Sequence, residues 1–190
     1  MASSPTTPAH EGLSAYNGMR MTEDEFLALP EVKPYLEYID GWVLQKPMVN
    51  ADHSDLAVEL VAALRQYGKR VGGRAGIERR AHFASSHNYR LPDVCFFVVG
   101  RPALDDSPPT LAVEIRSPGQ TVDQLRAKCR FFRANGIEEC WLVDPRLRTV
   151  EQFSSDGEFI LGADQTLISA ALPGFELVLS ELFAVLDPAE

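Results

Sequence analysis

Two stretches of this chain put carboxylates at the ends of hydrophobic runs. Arg90-Leu91-Pro92-Asp93 leads into VCFFVV (residues 94–99), so Asp93 stands at the mouth of an apolar segment. In TLAVEIRSPG (residues 110–119), Leu111, Val113 and Ile115 alternate as in a buried strand, and Glu114 and Arg116 interrupt them just before a Ser-Pro-Gly turn. Charged side chains are almost never fully buried without a partner. If the two strands are neighbours, their carboxylates converge, and two hard oxygen donors held that close repel unless a cation or a proton lies between them. Mg²⁺ is satisfied by one or two carboxylates together with waters and substrate phosphate oxygens. The pair therefore suits a divalent metal and phosphate chemistry, whereas either acid alone suits an ordinary ion pair or a strand-end turn.

A cation stands on the following helix. In residues 121–135, Val122, Leu125, Cys129 and Phe132 form one apolar stripe. Lys128 lies about 70° from its centre, and Arg126, Arg130 and Arg133 lie on the opposite edge. An ammonium at that rim could reach the strand ends, to hold a water or steady charge on a phosphorane-like transition state. A lysine snorkelling beside the core is the plain alternative. Arg116 cannot be deprotonated, which makes it a poor activator of water and a good binder of phosphate.

The elements that must position these groups are readable from periodicity. Thr22 to Glu25 form a capping box before a short helix that Pro30 ends. YLEYIDGWVLQKP (35–47) alternates around Asp40-Gly41 as a hairpin or bent strand. Leu56, Leu60, Val61 and Leu64 recur at helical spacing in a first long helix that Gly72-Gly73 terminates. Strands are expected around 76–84, 94–99 and 110–116, with the all-apolar 94–99 as a central one, and again at ECWLVDP (139–145). RTVEQF and EFILG flank a hairpin signal at Ser154 to Gly157, and SELFAVL forms a last short helix. Interleaved strands and helices with antiparallel terminal pieces predict a mixed sheet flanked by helices.

At 190 residues, 45% hydrophobic and 24% charged, the chain reads as a soluble globular protein, with residues 1–20 as a flexible arm and 21–190 as a single domain. No run of apolar residues reaches the 18 or more of a membrane span, and no secretory signal pattern opens the sequence, so a cytoplasmic location is expected. Cys95, Cys129 and Cys140 lack metal or redox spacing and are expected to be reduced core residues. The net charge of −9 argues against a nucleic-acid partner, yet residues 65–133 hold 13 basic and 6 acidic residues while the remainder holds 5 and 21. A basic middle could be a phosphate-binding face, or a set of solvated, ion-paired helix surfaces. His82 and His87 fit no metal-ligand spacing. There is no nucleotide-binding glycine loop and no G-x-S-x-G elbow.

Asp93 after Pro92, followed by Glu114 in a hydrophobic strand, resembles the PD-(D/E)XK nuclease superfamily. The longer series YIDG, His53, LPDV, VEIRSP, Lys128, GIEECWLVDP and LPGFELVLSELF resembles its Uma-two family of restriction-endonuclease-like proteins, over roughly residues 21–187. The resemblance implies a restriction-endonuclease-like core (an α/β, α+β mixed fold) with extra N- and C-terminal strands. It also implies Mg²⁺ or Mn²⁺ held by Asp93, Glu114 and the Ile115 carbonyl with Glu37 nearby, and hydrolytic cleavage of DNA. The superfamily lysine two residues after the acid is here Arg116; the family's lysine on the following helix is matched by Lys128. Gln124 stands one turn before Lys128 where the family often has an acid. His53 matches a family position, and could equally be a helix residue bonded to its surroundings. Ser117 could bond the site or cap the turn, and the turn is expected; Arg90 and Arg116 are candidate phosphate contacts. The expected function is a metal-dependent endodeoxyribonuclease acting as a homodimer, because two twofold-related sites cut both strands of a duplex. The alternative is a catalytically inactive nuclease fold serving as a DNA-binding or protein-interaction module.

Overall fold

Thr22 caps the first helix, α1 (Glu23–Leu27), through the expected capping box with Glu25. The chain turns at Asp40-Gly41 between β1 (Leu36–Ile39) and β2 (Trp42–Gln45), which pair antiparallel with Glu37 opposite Leu44. A computed structural model describes residues 13–102 and 106–187. Residues 1–12 of the expected flexible arm lie outside the described residues. Residues 13–20 are held against β2 instead of being free: the Gly18 amide donates to Val43 O at 2.7 Å and the Val43 amide to Met19 O at 2.9 Å. The reason is the open edge of β2, whose backbone groups need partners.

Asn50 caps the long α2 (Ala51–Val71), which buries Leu56, Leu60, Leu64 and Tyr67 on one face. Each buried leucine contributes about 1.5–3 kcal/mol relative to exposure. Beyond the helix, the run expected at 76–84 splits into β3 (Arg74–Ile77) and β4 (Ala81–Phe83), parted by Glu78 at φ 46°. β5 (Asn88–Arg90) follows, three residues long and too short to leave an alternation signal. Then come β6 (Val94–Phe97), β7 (Leu111–Ile115), α3 (Val122–Ala134), β8 (Glu139–Asp144) and the hairpin of β9 (Thr149–Ser154) and β10 (Gly157–Gly162). β11 (Thr166–Ile168), β12 (Glu176–Val178) and α4 (Leu179–Ala184) end the described chain.

The main sheet has the order β10-β9-β8-β7-β6-β3, and a smaller sheet runs β2-β1-β5-β4. Within the main sheet only β7 and β8 pair parallel, with α3 as the crossover between them, so it is mixed as expected. β6 is not its central strand: it lies second from the edge, and Val99 beyond it is 71% exposed. An all-apolar strand reports cover on both faces, not position in the sheet. Alternation along β7 sends Leu111, Val113 and Ile115 into the core beneath α2 and α4, and Ala112 into the smaller core beneath α3. Cys95, Cys129 and Cys140 are free and buried. Part of the basic middle is ion-paired: Arg80 with Asp106, Arg101 with Glu138, Arg116 with Asp144, Arg126 with Glu151 and Arg130 with Glu158.

Gly73 makes the turn from α2 into β3 at φ +110°, and a Cβ there would lie 2.6 Å from Phe97 O and 2.7 Å from Phe96 Cζ. Gly73→Ala is expected to cost about 2–4 kcal/mol, from combined backbone strain and overpacking. Urea denaturation reads this as a lower midpoint at unchanged slope.

Candidate active site

The register of β6 on β7 pairs Val94 with Val113 and Cys95 with Ala112, and one further step sets Asp93 across from Glu114. Glu114 shares the Ala112 face of β7 by the two-residue period, which turns it toward α3 and Lys128. Short polar contacts join them: Asp93 Oδ2 accepts from the Ile115 amide at 2.7 Å, and Lys128 Nζ forms an ion pair with Glu114 Oε1 at 3.0 Å. Glu37 arrives from the small sheet. Its Oε1 accepts from the Leu91 amide at 2.9 Å and from Lys128 Nζ at 2.8 Å. A fifth charged group was not anticipated: Lys46 Nζ donates to Asp93 Oδ1 at 2.6 Å and to Leu91 O at 2.9 Å. The signal for it lay in the hairpin. Leu44 stands opposite Glu37, and Lys46, two residues on, shares that face, so choosing Glu37 brings Lys46 with it.

These groups line a cleft of about 510 Å³ together with Ile39, Leu44, His53, Arg90, Ile115, Ser117 and Gln124. Glu37, Lys46, Asp93 and Glu114 are all buried, with Glu114 only 2% exposed. Three carboxylates thus face two ammonium groups. Burial alone would raise Glu37 and Asp93, but Lys128 and Lys46 beside Glu37, and Lys46 and His53 beside Asp93, hold both carboxyls below their usual range. Burial would lower both lysines; Asp93 overcomes this at Lys46, and Glu114 and Glu37 overcome it at Lys128, so both stay charged. Glu114 is left over. Burial raises it, Lys128 offsets only part of that, Asp93 adds to it, and the carboxyl is pushed up to about 7.

A second buried carboxylate shows how the fold otherwise accommodates such a group. Glu139, also buried, accepts from Trp141 Nε1, Gln152 Nε2 and Ser169 Oγ at 2.6 Å each and from the Ala171 amide at 2.8 Å. Glu114 has nothing comparable: Lys128 is close but not directed for a hydrogen bond, and Glu114 Oε1 is a buried oxygen with no donor.

The remaining expected residues divide. His53 is buried, with Nδ1 3.0 Å from Ser117 Oγ and Nε2 3.7 Å from Asp93 Oδ1, and it also bonds the Ile115 backbone. Burial outweighs the pull of Asp93 and lowers its pKa. Ser117 therefore directs its hydroxyl to His53 rather than to the turn, while its amide donates to Gln120 Oε1 at 2.8 Å. Arg116 is turned away from the acids: Nη1 donates to Asp144 Oδ2 at 2.7 Å and Nε to Gln120 O at 3.2 Å. Arg90 lines the cleft, stacks over Phe131 at 4.2 Å and carries a buried Nε without a partner. Burial lowers its pKa, against the pull of Glu37 and Glu114. Gln124 bonds Thr121 in a capping box at the start of α3, so it closes the helix end and does not orient Lys128.

A mixed sheet carrying paired acids at the ends of adjacent strands, with a lysine from the crossover helix closing on them, is a restriction-endonuclease-like fold. The chain belongs to the Uma2 family, described as "Putative restriction endonuclease", which matches residues 23–180. Among solved structures it is similar to "a putative nuclease belonging to DUF820 from Anabaena variabilis ATCC 29413", at 28% identity and a TM-score of 0.78, over 87% of this chain and 99% of that one. A looser likeness, at 18% identity and a TM-score of 0.40, joins 66% of this chain to 11% of a chain in a DrdV–DNA complex. No curated protein matches the chain.

Glu114 links stability to pH. Its carboxyl holds a proton to about 7 in the folded chain against 4.5 ordinarily. Between those values the folded state binds the extra proton, so metal-free stability falls as pH rises, by about 1.4 kcal/mol per pH unit from this group. Glu114→Gln is expected to flatten that slope in denaturation curves taken across the window. Lys46→Met strands the buried Asp93 charge and is expected to cost about 3–5 kcal/mol near neutral pH in the same measurement.

Proposed function

We propose that the chain is a Mg²⁺- or Mn²⁺-dependent endonuclease that hydrolyses phosphodiester bonds of DNA. The observation that carries this is Glu114 Oε1, a buried oxygen without a hydrogen-bond donor, facing the same cleft as Asp93 and Glu37. The donor set fits a hard divalent cation: Asp93, Glu114 and the Ile115 carbonyl would hold it, with Glu37 alongside, all through oxygen. When bound, the cation supplies polarisation of a phosphate oxygen and a water of lowered pKa.

The chain's own residues divide the remaining work. Lys128, held protonated by Glu114 and Glu37, is no proton acceptor; its ammonium steadies the negative charge that develops on the phosphoryl group. Arg90 has a free Nε and a guanidinium fixed on Phe131, so it takes the phosphate-holding role that Arg116, committed to Asp144, does not fill. His53, braced by Ser117, positions Asp93. One observation favours the alternative of an inactive DNA-binding or protein-interaction module: Lys46 already covers Asp93 Oδ1 with a positive charge.

Plasmid nicking with Mn²⁺ separates the two readings. Wild type is expected to nick, Asp93→Ala to lose activity, and Lys128→Met to lose about 10²–10³-fold while keeping its Mn²⁺-dependent rise in Tm. Equal nicking by wild type and Asp93→Ala would expose a contaminant. A wild type whose Tm ignores Mn²⁺ would support the inactive module. Cutting both strands calls for two sites related by a twofold axis. Light scattering is accordingly expected to give a particle of twice the 21.0 kDa chain mass.

A further inference from the structure

The small sheet has two faces. Glu37, Leu44 and Arg90 face the cleft, while Tyr38, Val43 and Tyr89 pack with Phe26 of α1 on the other side. On that second side, three metal-type donors from separate parts of the sequence meet. Glu23 opens α1, His82 is the middle residue of β4, and His87 closes the β4–β5 turn at φ 50°. Their ligand atoms all lie within 4.8 Å of one another. His87 Nδ1 is 3.1 Å from Glu23 Oε2, and His82 Nε2 is 3.7 Å from Glu23 Oε1. Bonds of about 2.0–2.2 Å in a tetrahedral arrangement set ligand atoms roughly 3.3–3.5 Å apart, so small side-chain rotations would bring the three donors onto one ion.

Two further observations point to a ligand. His82 Nε2 is buried and has no hydrogen-bond partner, which is costly for a ring nitrogen unless something completes it. The ring stacks on Tyr89 at 4.3 Å with the planes 4° apart, which favours this orientation. The same Tyr89 donates its hydroxyl to Glu23 Oε1 at 2.6 Å, the kind of outer hydrogen bond that orients a ligating carboxylate. The His87 side chain is 73% exposed, so the remaining coordination positions open to solvent.

We propose that Glu23, His82 and His87 form a transition-metal site of the zinc type, separate from the carboxylate cleft, that clamps α1 to the β4–β5 hairpin. Two imidazole nitrogens and one carboxylate select Zn²⁺ or Co²⁺ over Mg²⁺ and Ca²⁺, which take all-oxygen shells. The site lies on the opposite face of the sheet from the cleft, so its role is to hold the layer that carries Glu37 and Arg90. It stands whether or not the cleft cleaves DNA.

The test is calorimetric titration of the whole chain with Zn²⁺ alone, in wild type, His87→Ala, His82→Gln and Glu114→Gln. Wild type is expected to bind one equivalent that Glu114→Gln retains and that each histidine variant weakens at least tenfold. Co²⁺ in place of Zn²⁺ is expected to give visible absorption bands that His87→Ala abolishes. His87 sits in an exposed turn, so that variant reports even if His82→Gln fails to fold. Absence of Zn²⁺ binding, an affinity unchanged in His87→Ala, or an equivalent lost only in Glu114→Gln would each overturn the proposal.

Discussion

Three carboxylates brought out of water into one cleft are the constraint around which this molecule is arranged. Each buried charge costs several kcal/mol unless it is compensated at close range. The compensation comes from elements that are otherwise unrelated: Lys46 at the end of β2 for Asp93, and Lys128 from the middle of α3 for Glu37 and Glu114. The small sheet, the crossover helix and the ends of β6 and β7 in the main sheet must therefore dock together, or none of these charges is tolerable. Electrostatics here does the joining that an apolar seam does elsewhere in the chain.

The compensation is incomplete, and the incompleteness has an address. Glu139 shows that this fold can wrap a buried carboxylate in four donors when it has only to be structural. Glu114 is given one ammonium, shared and poorly directed, and its carboxyl is pushed up to about 7. A perturbed carboxyl of this kind in a cleft is what supports the metal site proposed above. Arg90 repeats the pattern with the opposite sign, buried in the same cleft with an unpartnered Nε.

The arginines outside the cleft behave differently. Arg126 and Arg130 reach across from α3 to Glu151 and Glu158 on the hairpin strands, in pairs of 2.7 Å. The exposed Arg130–Glu158 pair contributes little stability, and Arg126–Glu151 is half-buried. Their effect is on the surface, where two basic residues of α3 are matched against acids of β9 and β10.

Short-range patterns carried much of this without any coordinates. Alternation placed Glu114 on a strand face distinct from Leu111, Val113 and Ile115, and the helical stripe separated Lys128 from its neighbouring arginines. The hairpin at Asp40-Gly41, both long helices and the mixed sheet were equally legible, because each depends on spacings of two to four residues. Glu37 entered only through family resemblance. Long-range docking decided the rest. It set β6 near the sheet edge, drew Arg116 to Asp144 and Ser117 to His53, delivered Lys46 to Asp93, and gathered Glu23, His82 and His87 into one cluster. Periodicity says which face a side chain takes; which charge waits on that face depends on sheet register and on how two separate sheets meet, and no local spacing encodes either.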